Sequence, residues 1–156
     1  MEKNNKNTFM LLALEEAKIA SSKGEVPVGA ITVMNNEVLA KSSNFIESLS
    51  NPLKHAEMIV LENSSVILKE KGLSIRHVNL DLYVTLEPCA MCAYAISLCR
   101  IKNLFYGADD SKGGGVKFGS KVFDQTTCHH KPNIFSGINK KDCEQIIKSF
   151  FLKIRN

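Results

Sequence analysis

Residues 80–98 read LDLYVTLEPCAMCAYAISL, and this stretch predicts a strand that turns directly into a helix. Residues 80–86 are mostly apolar and β-branched or aromatic, which favours a buried strand. Pro88 predicts the start of a helix that runs to about Leu98, because proline is tolerated in a first helical turn. A strand followed at once by a helix is typical of layered α/β proteins, so we expect an α/β domain.

The preceding part of the chain predicts a β-hairpin and a second helix. Asn35-Asn36 separates two strand-like segments, 28–34 and 37–41, and this pattern is typical of a two-residue hairpin turn. Asn51-Pro52 resembles a helix start, with asparagine as N-cap and proline in the first turn, and the helix should extend towards Gly72.

The remaining elements complete an alternating order of helices and strands. The longest predicted helix could break at residues 63–65 (Asn-Ser-Ser). The other predicted elements are a helix at 8–22, a short strand at 103–107, a flexible loop with four glycines at 111–119, and a helix at 142–153. Because helices separate the strands and a hairpin begins the sheet, we expect a mixed sheet between helical layers.

The composition fits one globular domain and disfavours membrane and secreted proteins. The chain has 156 residues, 44% hydrophobic and 23% charged, so we expect a single domain spanning 1–156. The apolar run 9–14 is followed by Glu15-Glu16 rather than by a cleavage site, and no run approaches the roughly 20 apolar residues of a membrane span. The five cysteines, an odd number, argue against a disulfide framework. We therefore expect a cytoplasmic protein without membrane contacts.

The net charge of +4 indicates a mildly basic protein, and lysines are frequent in its last third. That charge fits a solvated surface as well as an RNA-binding face. Cys89 and Cys92 have the spacing of metal ligands, whereas the other three cysteines are expected to be buried thiols.

Two short motifs carry the candidate chemistry. His55-Ala56-Glu57 lies near one predicted helix start, and Pro88-Cys89-Ala90-Met91-Cys92 lies at another. Together they match the His-x-Glu … Pro-Cys-x-x-Cys signature of zinc-dependent deaminases. Two thiolates and one imidazole give three protein ligands to a tetrahedral Zn²⁺ and leave the fourth position for water, as catalytic sites require. A redox role for the cysteine pair would not need the upstream His-x-Glu.

The same pattern predicts a mechanism. The zinc ion would lower the pKa of its water to about 7 and provide hydroxide at neutral pH. Glu57, which need not be a ligand, would carry the proton from this water to the substrate base and then to the leaving amine. Hydroxide would add to the amine-bearing carbon, and ammonia would leave.

A longer series of segments resembles the bacterial tRNA-specific adenosine deaminase family. The resemblance extends from about Met10 to Arg155 and includes the segments 25–30 (EVPVGA), 51–57 (NPLKHAE), 82–89 (LYVTLEPC) and 107–114 (GADDSKGG). It implies the cytidine-deaminase-like three-layer α/β/α sandwich, one zinc ion per chain and a homodimer. It also implies deamination of the wobble adenosine in the anticodon loop of an arginine tRNA, with no nucleotide cofactor.

The resemblance further implies six substrate-binding residues. Asn44 corresponds to an asparagine that hydrogen-bonds the base, although a cap or turn asparagine is the alternative. Val28 and Ala56 would line the base pocket, or simply belong to the core and to a helix. The others, with a solvated loop or core packing as the alternative, are Asp110, Lys112 and Phe151. Phe150, the neighbour of Phe151, is expected in the core.

The chain departs from the family pattern at Asn51, Leu53, Phe45 and Asp109, which affects the expected RNA contacts but not the zinc site. Two other functions remain open at this point. A deaminase of a free nucleobase or nucleoside, of guanine or cytosine type, would use the same chemistry. A non-catalytic, zinc-stabilised RNA-binding subunit is the other alternative, and it would not require Glu57.

Overall fold

Five strands form one mixed sheet in the order β2-β1-β3-β4-β5. The computed structural model describes the backbone of residues 2–155 and the side chains of residues 5–155. The strands are β1 (Gly29–Met34), β2 (Glu37–Ser43), β3 (Asp81–Leu86), β4 (Asn103–Ala108) and β5 (Asn133–Phe135). β1 is antiparallel to both β2 and β3, whereas β3, β4 and β5 are parallel. The predicted mixed sheet is confirmed.

Four helices cover the two faces of this sheet. They are α1 (Glu2–Ser22), α2 (Ala56–Glu70), α3 (Ala90–Leu98) and α4 (Lys140–Arg155), and there are two 3₁₀ turns, Ile75–His77 and Val122–Asp124. α1 and α4 pack on one face of the sheet, and α2 and α3 pack on the other. The three-layer α/β/α sandwich is therefore confirmed. No helix within residues 2–155 is long and apolar enough to cross a bilayer.

The predicted hairpin turn and the predicted ends of the first two helices are confirmed. Asn35 and Asn36 have φ angles of 52° and 64°, as a hairpin turn with two left-handed residues requires. Gly24 and Gly72 follow the ends of α1 and α2 with φ angles of 78° and 74°. Glycine adopts this conformation without a steric penalty, and it lets the chain leave a helix.

The predicted start of α2 is wrong. The helix begins at Ala56, and His55, with an extended backbone (φ −70°, ψ 150°), is its N-cap. Asn51 instead caps its own turn, because its Oδ1 accepts a hydrogen bond from the Leu53 amide at 3.0 Å. Residues 51–54 thus form a turn, and His55 follows it as the N-cap of α2.

The predicted break at 63–65 is also wrong, since α2 is continuous to Glu70. Ser64 is fully buried and donates from Oγ to the Val60 carbonyl (2.6 Å) while sharing a hydrogen bond with Thr32 of β1 (2.7 Å). A polar residue inside the helix is tolerated because both of its hydrogen bonds are formed within the fold.

Several other boundaries differ from the predictions. α1 begins at Glu2 rather than at residue 8, α3 begins at Ala90 rather than at Pro88, and α4 extends from Lys140 to Arg155. The strands β1 to β4 differ from the predictions by one or two residues at their ends. β5 was not predicted, because it contains three residues, is partly exposed and is defined only by its pairing with β4.

Helix α4 lies directly against β4 at a point where β4 has no side chain. A Cβ atom on Gly107 would lie 2.2 Å from the Sγ atom of Cys143, so only glycine allows this approach. Cys143 is fully buried there, and burial raises the pKa of its thiol to about 12. Cys99 and Cys128 are only half-buried, so the prediction of three buried thiols holds for Cys143 alone.

Candidate active site

Three metal-ligating side chains meet at one end of the sheet. The Nδ1 atom of His55 lies 3.7 Å from the Sγ atom of Cys89 and 3.6 Å from that of Cys92. All three ligand atoms lie within 4.8 Å of one another. Typical Zn–N and Zn–S bond lengths at a tetrahedral angle place nitrogen and sulfur about 3.6 Å apart, so the donor types and their spacing both fit Zn²⁺.

Two helix starts bring these ligands together. His55 is the N-cap of α2, and Cys89 is the N-cap of α3, with Cys92 in the first turn of the same helix. β3 leads into α3 through Glu87 and Pro88, so the end of the strand fixes where α3 begins. The positive ends of both helix dipoles face the ligand atoms, which favours thiolates there.

Glu57 lies beside the ligands in the first turn of α2. It is 4% exposed, and its Oε2 accepts a hydrogen bond from the Cys92 thiol at 3.3 Å. Burial raises the pKa of Glu57. A carboxyl group held against the ligand set, but not part of it, is placed to move protons rather than to bind the metal.

Hydrogen bonds among the ligands set their proton affinities. The contact with Cys92 lowers the pKa of Cys89 to about 4, although burial opposes this shift, and the hydrogen bond with His55 lowers the pKa further. The same contact, together with burial, raises the pKa of Cys92. The hydrogen bond with Cys89 raises the pKa of His55, again against the effect of burial.

Asn44 and its neighbours form the wall next to this cluster. The Oδ1 atom of Asn44 accepts a hydrogen bond from the Ala56 amide at 2.9 Å, and its Nδ2 donates to the Val26 carbonyl at 3.1 Å. Asn44 therefore caps the first amide of α2 from a distance of twelve residues along the chain. Ala56 is fully buried and Val28 is nearly so, both within the core between the sheet and α2.

The other three predicted substrate residues are not among the metal ligands and surround a separate cavity of about 610 Å³. Asp110, Lys112 and Phe151 line it, together with Arg155 of α4. Phe151 is 41% exposed, whereas Phe150 is buried as predicted. Asp110 also shapes its own loop, because its Oδ1 accepts hydrogen bonds from the amides of Lys112 and Gly113.

Two buried carboxylates, Glu25 and Glu87, were not singled out from the sequence. Glu25 accepts hydrogen bonds from the amides of Glu47 and Ser48 and from the Ser48 hydroxyl, at 2.8 to 2.9 Å. Burial opposes ionisation of Glu25, but these hydrogen bonds lower its pKa. Glu87 binds the amides of the glycine-rich loop in a similar way. Apart from the Ser48 hydroxyl, their partners are backbone amides, so no side-chain pattern in the sequence indicates them.

The departures from the family pattern occupy surface positions around the site. Asp109 forms ion pairs with Lys117 (3.2 Å) and Lys140 (3.5 Å), which joins the loop to α4. Leu53 is 57% exposed, and the Phe45 ring lies under the Lys23 ammonium, 4.8 Å from the ring centroid. None of these side chains contributes to the His-Cys-Cys cluster.

Known proteins share both the sequence and the fold. Residues 4–155 match the sequence pattern of the MafB19-like deaminase family. The tRNA-specific adenosine deaminase of Rickettsia bellii (strain RML369-C) is 48% identical over 146 residues, which cover 92% of this chain and 98% of the relative.

Two solved structures extend the comparison. One comes from biochemical and structural studies of A-to-I editing by tRNA:A34 deaminases at the wobble position of transfer RNA. Its TM-score is 0.82 at 44% identity, with 89% of this chain and 98% of that chain covered. The guanine deaminase from Nitrosomonas europaea has a TM-score of 0.75 at 15% identity, with 92% and 83% covered, and so shares the fold alone. The chain therefore belongs to the MafB19-like deaminase family and, within it, to the tRNA-specific adenosine deaminases.

Proposed function

We propose that this protein hydrolyses adenosine to inosine at the wobble position of a tRNA anticodon, with an arginine tRNA as the substrate. The observation that carries the proposal is the buried Glu57 carboxyl group, 3.3 Å from Cys92 within the His55, Cys89 and Cys92 cluster. The 48% identity to a tRNA-specific adenosine deaminase supports the choice of substrate.

The three ligands would hold one zinc ion per chain. When bound, the ion supplies Lewis acidity, which lowers the pKa of water at the site. His55, Cys89 and Cys92 come from two helix starts, so the fold presents them together without any rearrangement of the chain. Their donor set leaves room for one further ligand in a tetrahedral site.

Glu57 is the proton carrier in the proposed mechanism. Its carboxylate accepts a proton from water, whose oxygen forms a bond to C6 of the adenine ring. Glu57 delivers this proton to the ring nitrogen, then accepts a second proton from the new C6 hydroxyl group and passes it to the amine. The C6–N bond breaks, and ammonia leaves. Water and adenosine are thereby converted to inosine and ammonia, and the carboxylate returns to its initial state.

The pocket wall would recognise the base through Asn44. Within the described residues its side-chain amide uses one N–H for Val26 and one lone pair for Ala56, so a second N–H and a second lone pair remain for a purine edge. Val28 and Ala56 would form the apolar surface against which the base packs. An unpaired anticodon base costs less to flip into such a pocket than a paired one.

The cavity beside the loop would hold nucleotides next to the flipped base. Phe151 offers an exposed ring for stacking, and Lys112 and Arg155 offer positive charge to phosphates. Asp110 would keep the loop in shape. We also propose a homodimer, as the family resemblance implies, and a cytoplasmic location, where tRNA is available.

The test is deamination by the zinc-loaded protein of an arginine tRNA anticodon stem-loop, in parallel with free adenine, guanine, cytosine and their nucleosides. We expect inosine at the wobble position and no turnover of the small molecules. Turnover of a free base or nucleoside without RNA deamination would replace the proposed substrate but keep the zinc chemistry. RNA binding without any turnover would indicate a non-catalytic subunit.

The role of Glu57 has its own test. Glu57→Gln should retain zinc and lower the single-turnover rate by roughly 10²- to 10⁴-fold, because proton transfer is lost while the ligands remain. Glu62→Gln is the matched control, since Glu62 lies on the same helix but is exposed and, among the described residues, forms an ion pair only with Lys54. Equal single-turnover rates in the Glu57→Gln and Glu62→Gln variants would show that Glu57 does not carry the proton.

A further inference from the structure

The carboxylate of Glu87 lies at the centre of the glycine-rich loop, residues 110–118. Glu87 is 2% exposed, and its Oε1 accepts a hydrogen bond from the Asp110 amide at 3.1 Å. Its Oε2 accepts hydrogen bonds from three consecutive amides, those of Val116, Lys117 and Phe118, at 3.1 to 3.2 Å. One side chain therefore binds both ends of the loop.

Glycines allow the loop to come this close. A Cβ atom on Gly114 would lie 2.1 Å from the Oε2 atom of Glu87, and one on Gly115 would lie 2.5 Å from the Ala90 amide nitrogen. The Gly115 amide also donates to the Pro88 carbonyl at 2.8 Å. The loop is thus fastened to the turn that precedes α3, and larger residues at these two positions would push it away.

The loop that Glu87 holds also forms part of the cavity wall. Residues 109–113 line the cavity that Phe151 and Arg155 border from α4. Asp110 is both a wall residue and a direct partner of Glu87. Displacement of the loop from Glu87 would therefore move the cavity wall, whereas the metal ligands belong to the starts of α2 and α3 and not to the loop.

We propose that Glu87 is a positioning residue for substrate binding: its carboxylate holds the 110–118 loop in the shape that receives nucleotides beside the flipped base. This inference rests on the proposed function for the identity of the substrate. Within the described residues Glu87 forms no ion pair, so backbone amides are the partners that compensate its buried charge. Charge-assisted hydrogen bonds of this kind are stronger than neutral ones.

Glu87→Gln is the first test, because glutamine keeps the shape but turns an N–H group towards amides that are themselves donors. We expect the KM for the anticodon stem-loop to rise about 10- to 100-fold while kcat changes less than about threefold and zinc stays at one per chain. Hydrogen exchange at the Val116, Lys117 and Phe118 amides should accelerate at least about tenfold. Asp81→Asn is the control, since Asp81 is a half-buried carboxylate at the opposite end of β3.

Gly114→Ala is the second test, because the added Cβ atom would collide with the Glu87 carboxylate and displace the loop while Glu87 itself is unchanged. It should reproduce the rise in KM, and the double variant should show less than the product of the two single effects. Unchanged KM in both variants, despite faster exchange of the loop amides, would overturn the proposal. A parallel loss of zinc, kcat and thermal stability would also overturn it, because Glu87 would then serve the fold as a whole.

The two proposals can fail separately in this experiment. Inosine formation by the unaltered protein tests the proposed function, and stem-loop affinity measured by fluorescence anisotropy tests the role of the loop without turnover. Normal turnover with wild-type affinity in both variants would contradict the Glu87 inference alone. Tight RNA binding that weakens in both variants, without inosine in any sample, would contradict the proposed function alone.

Discussion

Substitution of Asn44 by alanine should destabilise the protein far more than the same substitution of an exposed asparagine. The change removes the acceptor of the fully buried Ala56 amide and the donor to the Val26 carbonyl. The Val26 carbonyl keeps a partner in the Val28 amide, whereas the Ala56 amide loses its side-chain cap. An unsatisfied buried donor costs about 1–3 kcal/mol and a lost hydrogen bond about 1 kcal/mol, so we expect a loss of about 2–4 kcal/mol.

Urea and thermal unfolding of the zinc-loaded protein measure this loss. For a chain of this length, 1 kcal/mol corresponds to about 2–4 °C, so Tm should fall by roughly 5–15 °C. Asn103→Ala is the matched control: Asn103 also forms two side-chain hydrogen bonds, but its partners, Asp81 and Asn133, are accessible to water. Equal destabilisation by the two substitutions would refute the reasoning, because burial of the Ala56 amide would then have no effect.

Three further predictions address the metal, the RNA and alkaline pH. Cys89→Ser should lose zinc, measured by metal analysis, whereas Cys99→Ser should keep it; full zinc in both would show that the ligand set is wrong. Phe151→Ala should raise the KM for the stem-loop about tenfold, because stacking on the ring is lost. An equal rise in KM for Leu152→Ala, at the exposed neighbouring residue, would show that Phe151 has no specific role. Burial raises the pKa of Tyr83 to about 12 from 10.0, so the unfolded chain loses this proton first and stability falls between about pH 10 and 12. Tyr83→Phe should reduce that alkaline loss in urea titrations, and an unchanged pH profile would contradict the assignment.

Local signals in the sequence were sufficient for the elements whose cause is local. The Asn35-Asn36 turn and the glycines after α1 and α2 require left-handed backbone, which few residue types adopt easily. The metal ligands could be identified for a related reason: cysteine and histidine are the preferred donors for zinc, so their spacing is informative before any fold is known.

Features that depend on distant parts of the chain could not be predicted. The start of α2 depends on how the turn before it folds, and Asn51 has the same preference for a turn as for a helix cap. β5 is a strand only because β4 provides its partner. Glu87 binds amides 23 to 31 residues further along, and because nearly every residue carries an amide, no residue type indicates such a partner.

The contact between Cys143 and Gly107 provides an internal reporter of unfolding. Thiolates rather than thiols react with alkylating reagents, so a fully buried cysteine with a pKa of about 12 is protected while α4 remains on β4. In the zinc-loaded protein, alkylation of Cys143 therefore records separation of α4 from the sheet, whereas alkylation of Cys89 records loss of the metal from the ligand cluster. A brief exposure to reagent, followed by peptide mass analysis, would show which of these two events comes first as the temperature rises.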